Sequence, residues 1–322
     1  MGGLISCQCL DASKEDGTLE LIPNDPRERA EDDLAGWAAC SAMPLPLLQD
    51  EHISIYMGAF AVCAPFGGIQ YTGELKDGLK HGYGILVRPC GSKFEGNFKN
   101  GVADGDGKFF HPSGDKYEGQ WKQNKAHGKG RFTHADGSYY EGDWICDVQE
   151  GWGLERWADG SGYEGEYKGG MKHGKGTFRW PDGSVYEGQF SENDIHGEGT
   201  YIWSDNKKYT GQWIHNRMDG QGRMHLADGR VYEGGYRCDK KHGKGKVTWP
   251  DGRWFDGEWC DGRQHGIGCY FSADGRPVSE VEWSYGRKIS VIEGNKLHVM
   301  SSSVMNLPYT RAPSDPRLSE VS

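Results

Sequence analysis

Between Tyr117 and Tyr139, apolar and polar positions alternate in two runs. In the first, Tyr117, Gly119 and Trp121 take every second position, with Glu118 and Gln120 between them. In the second, Gly128, Gly130, Phe132 and His134 alternate with Lys129, Arg131 and Thr133. Period-two alternation predicts strands with one apolar and one wet face. Asn124 breaks the two runs, and Asp136-Gly137 follows the second. Asp-Gly between alternating runs is a strong hairpin signal.

The pattern recurs every 23 residues. Its opening aromatics are Tyr71, Phe94, Tyr117, Tyr140, Tyr163, Tyr186, Tyr209, Tyr232 and Phe255, nine units in register without an insertion. A fixed period of this size marks a repeat architecture. Counting the opening aromatic as position one, position eight holds only Gly, Asn or Asp, from Gly78 to Gly262. Those residues tolerate a left-handed backbone, so the position predicts a turn. Each unit then consists of two antiparallel strands and two tight turns, joined into one meander. Eighteen strands at about 4.8 Å spacing give an array roughly 80–90 Å long. Strand glycines normally weaken a sheet. Here each apolar face pairs glycines with a large ring, which can lie over backbone that carries no side chain.

The motif Y-x-G-x-W followed by G-x-x-H-G-x-G resembles the membrane occupation and recognition nexus (MORN) repeat, over residues 71–277. Departures are local. Leu75 replaces the second aromatic of the first unit, and Asp104, Glu150 and Asp219 replace the histidine. Glu155 replaces an apolar residue, and Asn206 a turn glycine. The resemblance implies an all-β fold: an elongated, single-layer, twisted antiparallel sheet of stacked hairpins with a groove along one side. It also implies a binding or scaffolding role, often at membranes, cytoskeleton or cilia.

Composition narrows the picture. The 51 glycines and 35% hydrophobic content argue against two packed globular cores in 322 residues. The net charge is −10 and no basic run appears, which weighs against nucleic-acid binding. Nine cysteines without a C-x-x-C pair show neither a disulfide framework nor a zinc ribbon, and point to a reducing compartment.

In chain order, residues 1–10 (MGGLISCQCL) fit an N-myristoylation motif, with Gly2 as acceptor. One myristoyl chain binds membranes marginally, so Cys7 and Cys9 are the candidates for a second, S-acyl anchor. Residues 11–52 are an acidic leader with the composition of a flexible spacer. Residues 53–70 open like a repeat at Tyr56, Gly58 and Phe60, but Tyr71 follows too soon. The segment is therefore expected to be a truncated N-terminal cap; Pro65, Gly67 and Gly68 argue against a membrane span. Residues 71–277 are the nine repeats. Residues 278–290 hold Trp283 and Gly286 without an opening aromatic and are expected to be a degraded C-terminal cap. Residues 291–322 have the composition of a mobile tail, with Ser314 and Ser319 as phosphorylation candidates.

The recurrent histidines, among them His127 and His196, suggest a metal ladder. Equivalent positions lie about 9–10 Å apart, too far to share one ion, so each is expected to bond within its own turn. The Gly-x-Gly pairs lack the helix of a phosphate loop. Glu118 and Glu141 fall in a row on the wet face rather than as an acid–base pair. No catalytic residue, cofactor or metal ligand is assigned, and the flanking segments are too short for the enzyme domains that accompany such repeats elsewhere. An open sheet leaves an apolar side to cover. Tyr117, Trp121, Tyr140, Trp144, Tyr163, Tyr186 and Trp213 are therefore expected to line a groove for a protein segment or a second copy of the chain. The expected function is a scaffold tethered to the cytoplasmic face of a membrane, near the cortical cytoskeleton. Phospholipid headgroups, phosphoinositides included, are the alternative ligand, and a structural part of a ciliary axoneme the alternative setting.

Overall fold

The computed structural model of the protein describes residues 61–63 and 68–292. Gly2, Cys7, Cys9, the acidic leader, Tyr56, Gly58, Phe60, Ser314 and Ser319 lie outside the described residues. Among the described residues every regular element is a strand. They form one open antiparallel sheet of 21 strands, numbered β1 to β21 in chain order, from β1 (Ala61–Cys63) to β21 (Arg287–Ile292). Each strand pairs with its sequence neighbours, as the meander predicts.

The third unit shows how one period is built. Strand β6 (Lys116–Lys122) has seven residues and β7 (Lys125–Thr133) has nine. Lys122 pairs with Lys125, leaving Gln123 and Asn124 as a two-residue turn with φ of 51° and 65°. Two left-handed residues in succession make a type I′ turn, whose twist matches the flanking strands. The Asn/Asp/Gly rule at position eight is thus a backbone requirement, and position seven shares it although it holds Gln123, Cys146, Glu192 or His215.

The Asp-Gly connection is wider than a two-residue turn. The Gly137 N–H donates to the His134 carbonyl and the His134 N–H to the Ser138 carbonyl. Gly137 is left-handed at φ 89°. This is a type I turn closed by a left-handed residue, and the Asp136 carboxylate accepts from both the Ser138 N–H and hydroxyl. Asn206 fills the glycine's place at φ 65°, the one side-chain-bearing type besides Asp that does so readily.

The His-Gly-x-Gly run is not a plain strand. Gly119 pairs with Gly130 and Trp121 with Ala126, so Gln120 faces the three residues His127, Gly128 and Lys129. Gly128 takes φ 67° inside this bulge. The bulge explains the unequal strand lengths, and it recurs within the hairpins of the other units. Pairing between units is regular, as from Gly128–Trp144 to Thr133–Tyr139.

The core occupies one face. The other carries solvent-screened cross-strand ion pairs such as Lys108–Glu118 at 2.8 Å and Lys129–Asp143 at 2.7 Å. Beyond the ninth unit, β20 (Pro277–Ser284) and β21 form one more hairpin with a Tyr285-Gly286 turn. Here Ser279 pairs with Tyr270 where an opening aromatic would stand. Val281 and Val291 pair where glycines would. Glycine and ring disappear together, which is what ring-over-glycine packing requires.

Candidate binding face

Each opening ring lies over the two glycines of its own hairpin. A Cβ on Gly130 would sit 2.4 Å from Tyr117 Cζ. The bulge frees the Gln120 carbonyl, and the buried Tyr117 hydroxyl donates to it at 3.0 Å. The same bond recurs from Tyr140 to Asp143 and from Tyr186 to Gln189. Trp121 Nε1 reaches the Gly107 carbonyl of the preceding unit at 3.1 Å, and Trp144 reaches Gly130 at 3.0 Å. Rings of positions one and five then alternate edge to face along the sheet. Tyr117 touches Trp121 at 5.1 Å and Trp144 at 5.4 Å, and Tyr140 continues to Tyr167 at 5.0 Å.

This ladder corrects the expected groove. Tyr117, Trp121, Tyr140, Trp144, Tyr163, Tyr186 and Trp213 are 0–7% exposed. They are brought together, but as an interior. Edge-to-face contact along the ladder leaves each ring little free area, and residues of positions 10 and 16 close the flank, among them Ala126, Phe109 and Phe178. The aromatics a visitor would meet are those of position 18. Trp157, Trp180 and Trp249, with Leu226, are only half-buried against the core, whereas Trp203 is buried. Trp157 stacks on Phe178 at 5.5 Å and Trp180 lies 5.0 Å from Tyr201. The alternation pattern reached this row, but in the third unit the place holds His134, so its tryptophans were not singled out.

Position four also escaped the sequence. Gln120 Oε1 accepts the Lys129 N–H, Glu166 the Lys175 N–H and Gln189 the Glu198 N–H, each capping the bulge of its own hairpin. The signal was present: in all units but the eighth, the place holds Glu, Asn, Gln or Asp, side chains with a carbonyl or carboxylate acceptor.

Successive units are stitched at the type I′ turns. The Asn124 N–H donates to the Ala103 carbonyl, and its Oδ1 accepts the Ala103 N–H at 2.7 Å. Asp147, Asn193, Asn216 and Asp239 make the same side-chain bond. At the histidine position, three side chains bond to the following unit's turn rather than their own. His265 Nδ1 accepts the Tyr285 N–H at 3.3 Å, Glu150 the Gly169 N–H and Asp219 the Cys238 N–H. Two of the three acidic replacements therefore keep the acceptor. The Nδ1 atoms of His81, His127, His196 and His242 are buried without a hydrogen-bond partner.

Three lysines cross the apolar face at position 10, with Lys80 and Lys172 buried and Lys241 half-buried. Lys80 is lowered to about 8 by burial and, secondarily, by Arg88. Lys241 is lowered to about 7, first by burial and then by Arg230, with its Nζ 4.8 Å from the Tyr232 ring centre and 4.9 Å from that of Trp259. Lys172 pairs with Glu155 at 3.4 Å, and the Tyr167 hydroxyl donates to Glu155 at 2.8 Å. The Glu155 departure thus has its own buried partners in the next unit. At the seam of the eighth and ninth units His242, Cys260 and Asp261 converge. Among the described residues no helix is long and apolar enough to cross a membrane.

A family profile described as "MORN repeat" matches nine times, over residues 71–93, 94–116, 117–139, 140–162, 163–185, 186–208, 209–229, 232–252 and 255–275. No curated protein matches the chain. Among solved structures, it is similar to the TCP10 domain of Danio rerio CPAP in complex with a STIL peptide, at 14% identity and TM-score 0.34. That match covers 64% of this chain and 97% of the other. It is also similar to the SAS-4 (dCPAP) TCP domain of Drosophila melanogaster with a proline-rich motif of Ana2, at 12% identity and TM-score 0.31, covering 48% of this chain and 85% of that one. Likenesses this distant carry no argument.

Proposed function

Because the chain belongs to the MORN-repeat family, we propose that it is a non-enzymatic scaffold. Its acylated N-terminus, through Gly2 with Cys7 or Cys9, holds the repeats at the cytoplasmic face of a membrane, and the apolar face takes a protein segment. The observation that supports this reading most is the half-buried row of Trp157, Trp180, Leu226 and Trp249 above a sealed ladder. Tryptophan is the residue type most enriched where interfaces concentrate their binding energy, and here it recurs at a fixed spacing on a pre-organised support. The burial of Trp121 makes its replacement a stability experiment, so the partner test belongs on the outer row. Proximity labelling in cells compares wild type, Gly2→Ala and a Trp157→Ala/Trp180→Ala/Trp249→Ala variant. Gly2→Ala is expected to leave the membrane fraction. The triple variant is expected to stay there, folded but with a lowered melting temperature because the rings pack on the core, and to lose labelled neighbours. Unchanged neighbours in the triple variant would refute the reading.

A second reading, phospholipid-headgroup binding by the repeats, has one observation in its favour. Lysines scattered along the sequence meet at the type I′ edge, where exposed Lys99, Lys122 and Lys168 stand beside exposed Ile145, Val148 and Met171. A basic edge interleaved with aliphatic groups suits an anionic membrane surface. Vesicle binding that survives Gly2→Ala and fails on Lys99→Glu/Lys122→Glu/Lys168→Glu would favour it.

A further inference from the structure

We propose that His242, Cys260 and Asp261 form a zinc(II) site that ties the eighth unit to the ninth. Each residue presents one ligand atom, and the three lie within 4.8 Å of one another. The topology brings them together: His242 lies in β17 (Lys240–Thr248), while Cys260 ends β18 (Trp254–Cys260) and Asp261 opens the turn after it. At this seam the position-11 side chain of one unit meets the turn of the next, as the Glu150–Gly169, Asp219–Cys238 and His265–Tyr285 bonds show. In the ninth unit alone the strand before that turn ends in Cys while the turn itself opens with Asp. Among the described residues, no other group of three such side chains converges in this way.

The donor set selects the metal. One nitrogen, one sulfur and one carboxylate oxygen suit a borderline-soft divalent ion, whereas calcium and magnesium take oxygen ligands. His242 carries a buried Nδ1 without a partner, so the imidazole here has no structural hydrogen bond to surrender at that atom. The existing contacts of the other two are weak: Cys260 Sγ to Asp261 Oδ2 at 4.0 Å and Arg237 to Asp261 at 3.7 Å. Tetrahedral zinc with bonds of 2.0–2.3 Å spaces its ligands roughly 3.5 Å apart. Closing from 4.8 Å needs about 1 Å of movement, within rotamer reach of a half-buried Cys260 and an exposed Asp261. The thiol proton leaves to solvent on binding, so affinity rises with pH and is lost as the solution is acidified. Three protein ligands leave a fourth position for water.

The test uses the full chain, reduced and stripped of metal, titrated calorimetrically with zinc alone at pH 7.5. One equivalent is expected to bind and to raise the melting temperature. Cys260→Ser and His242→Asn are each expected to weaken binding at least about tenfold, while Cys7→Ser/Cys9→Ser is not. Cobalt(II) in place of zinc is expected to give a thiolate charge-transfer band that Cys260→Ser abolishes. Circular dichroism of each apo variant checks the fold, and Cys260→Ser, at the half-exposed end of a strand, keeps the test valid if His242→Asn unfolds. Equal binding by wild type and Cys260→Ser, or a cobalt spectrum without the thiolate band, would mean adventitious binding only and overturn the proposal.

Discussion

Gly130→Ala isolates the interaction on which the sheet is built. Gly130 has an ordinary extended backbone, so alanine meets no φ penalty there. In a plain strand the change would gain about 0.5–1 kcal/mol. Here the new Cβ would stand 2.4 Å from Tyr117 Cζ and 2.6 Å from its Cε2. The ring has no room to retreat, since it is 0% exposed and held edge-on between Trp121 and Trp144. Overpacking costs about 1–3 kcal/mol, and displacing the ring breaks the Tyr117–Gln120 bond, about 1 kcal/mol more. After the propensity gain, the net loss is about 1–3.5 kcal/mol. Tyr117→Ala removes the obstacle, so in that background Gly130→Ala should be neutral or slightly stabilising. A double-mutant cycle by urea denaturation, with hydrogen exchange at residues 117–140 to localise the effect, should give a coupling of about 2 kcal/mol or more. Gly137→Ala is the control: nothing lies within 4 Å, but φ is +89°, so its cost, about 1 kcal/mol, should not depend on Tyr117. Equal costs for Gly130→Ala in both backgrounds would refute ring-over-glycine packing.

The buried Glu155–Lys172 pair predicts that Lys172→Ala alone destabilises by about 3–5 kcal/mol. Glu155→Phe/Lys172→Ala, which copies the Phe109 and Ala126 of earlier units, should recover most of it in thermal melts. Asn124→Gly keeps the left-handed turn but removes the bond to Ala103. It should cost about 1 kcal/mol and loosen exchange protection at Ala103 selectively. Lys241 is lowered from 10.5 to about 7, so the fold disfavours its charged form. Its destabilising effect is absent above pH 10.5, grows as pH falls and is complete below pH 7. Lys241→Met should therefore stabilise more at pH 7 than at pH 10, and a pH-independent difference in urea midpoints would contradict the burial.

The repeat, the hairpins and the type I′ position were legible because each is a local backbone demand, and local demands leave residue types behind. Asn124 and Asp147 are legible for a second reason, unseen in one dimension: their side chains cross to the previous unit. The bulge was not legible. Gly128 and Gly130 look alike in a string, yet one carries a left-handed φ and the other a ring. Alternation assigned both to one strand face. The histidines misled for the same cause: His265 serves a turn 20 residues later, a distance that only the sheet closes.

The candidate face was misjudged where the sequence argued from residue type. Tyr117 and Trp121 are the chemistry of an interface, but interface and core draw on the same rings, and neighbour geometry decides between them. With every ring edge-on to the next, the open sheet supplies its own cover, so a single layer can be folded without a guest. Recognition then moves outward, to side chains fixed by the ladder but not absorbed in it. Trp157, Trp180 and Trp249 meet that description on the apolar face, and Lys99, Lys122 and Lys168 on the turn edge. Substitutions of the lysines should alter binding with stability changes of about ±0.5 kcal/mol, and those of the half-buried tryptophans should alter binding while the fold survives at a lower melting temperature. Substitutions in the ladder should do the reverse, losing fold and binding together. A ladder variant such as Trp144→Phe that kept full stability yet lost its partner would show that the rings are touched after all.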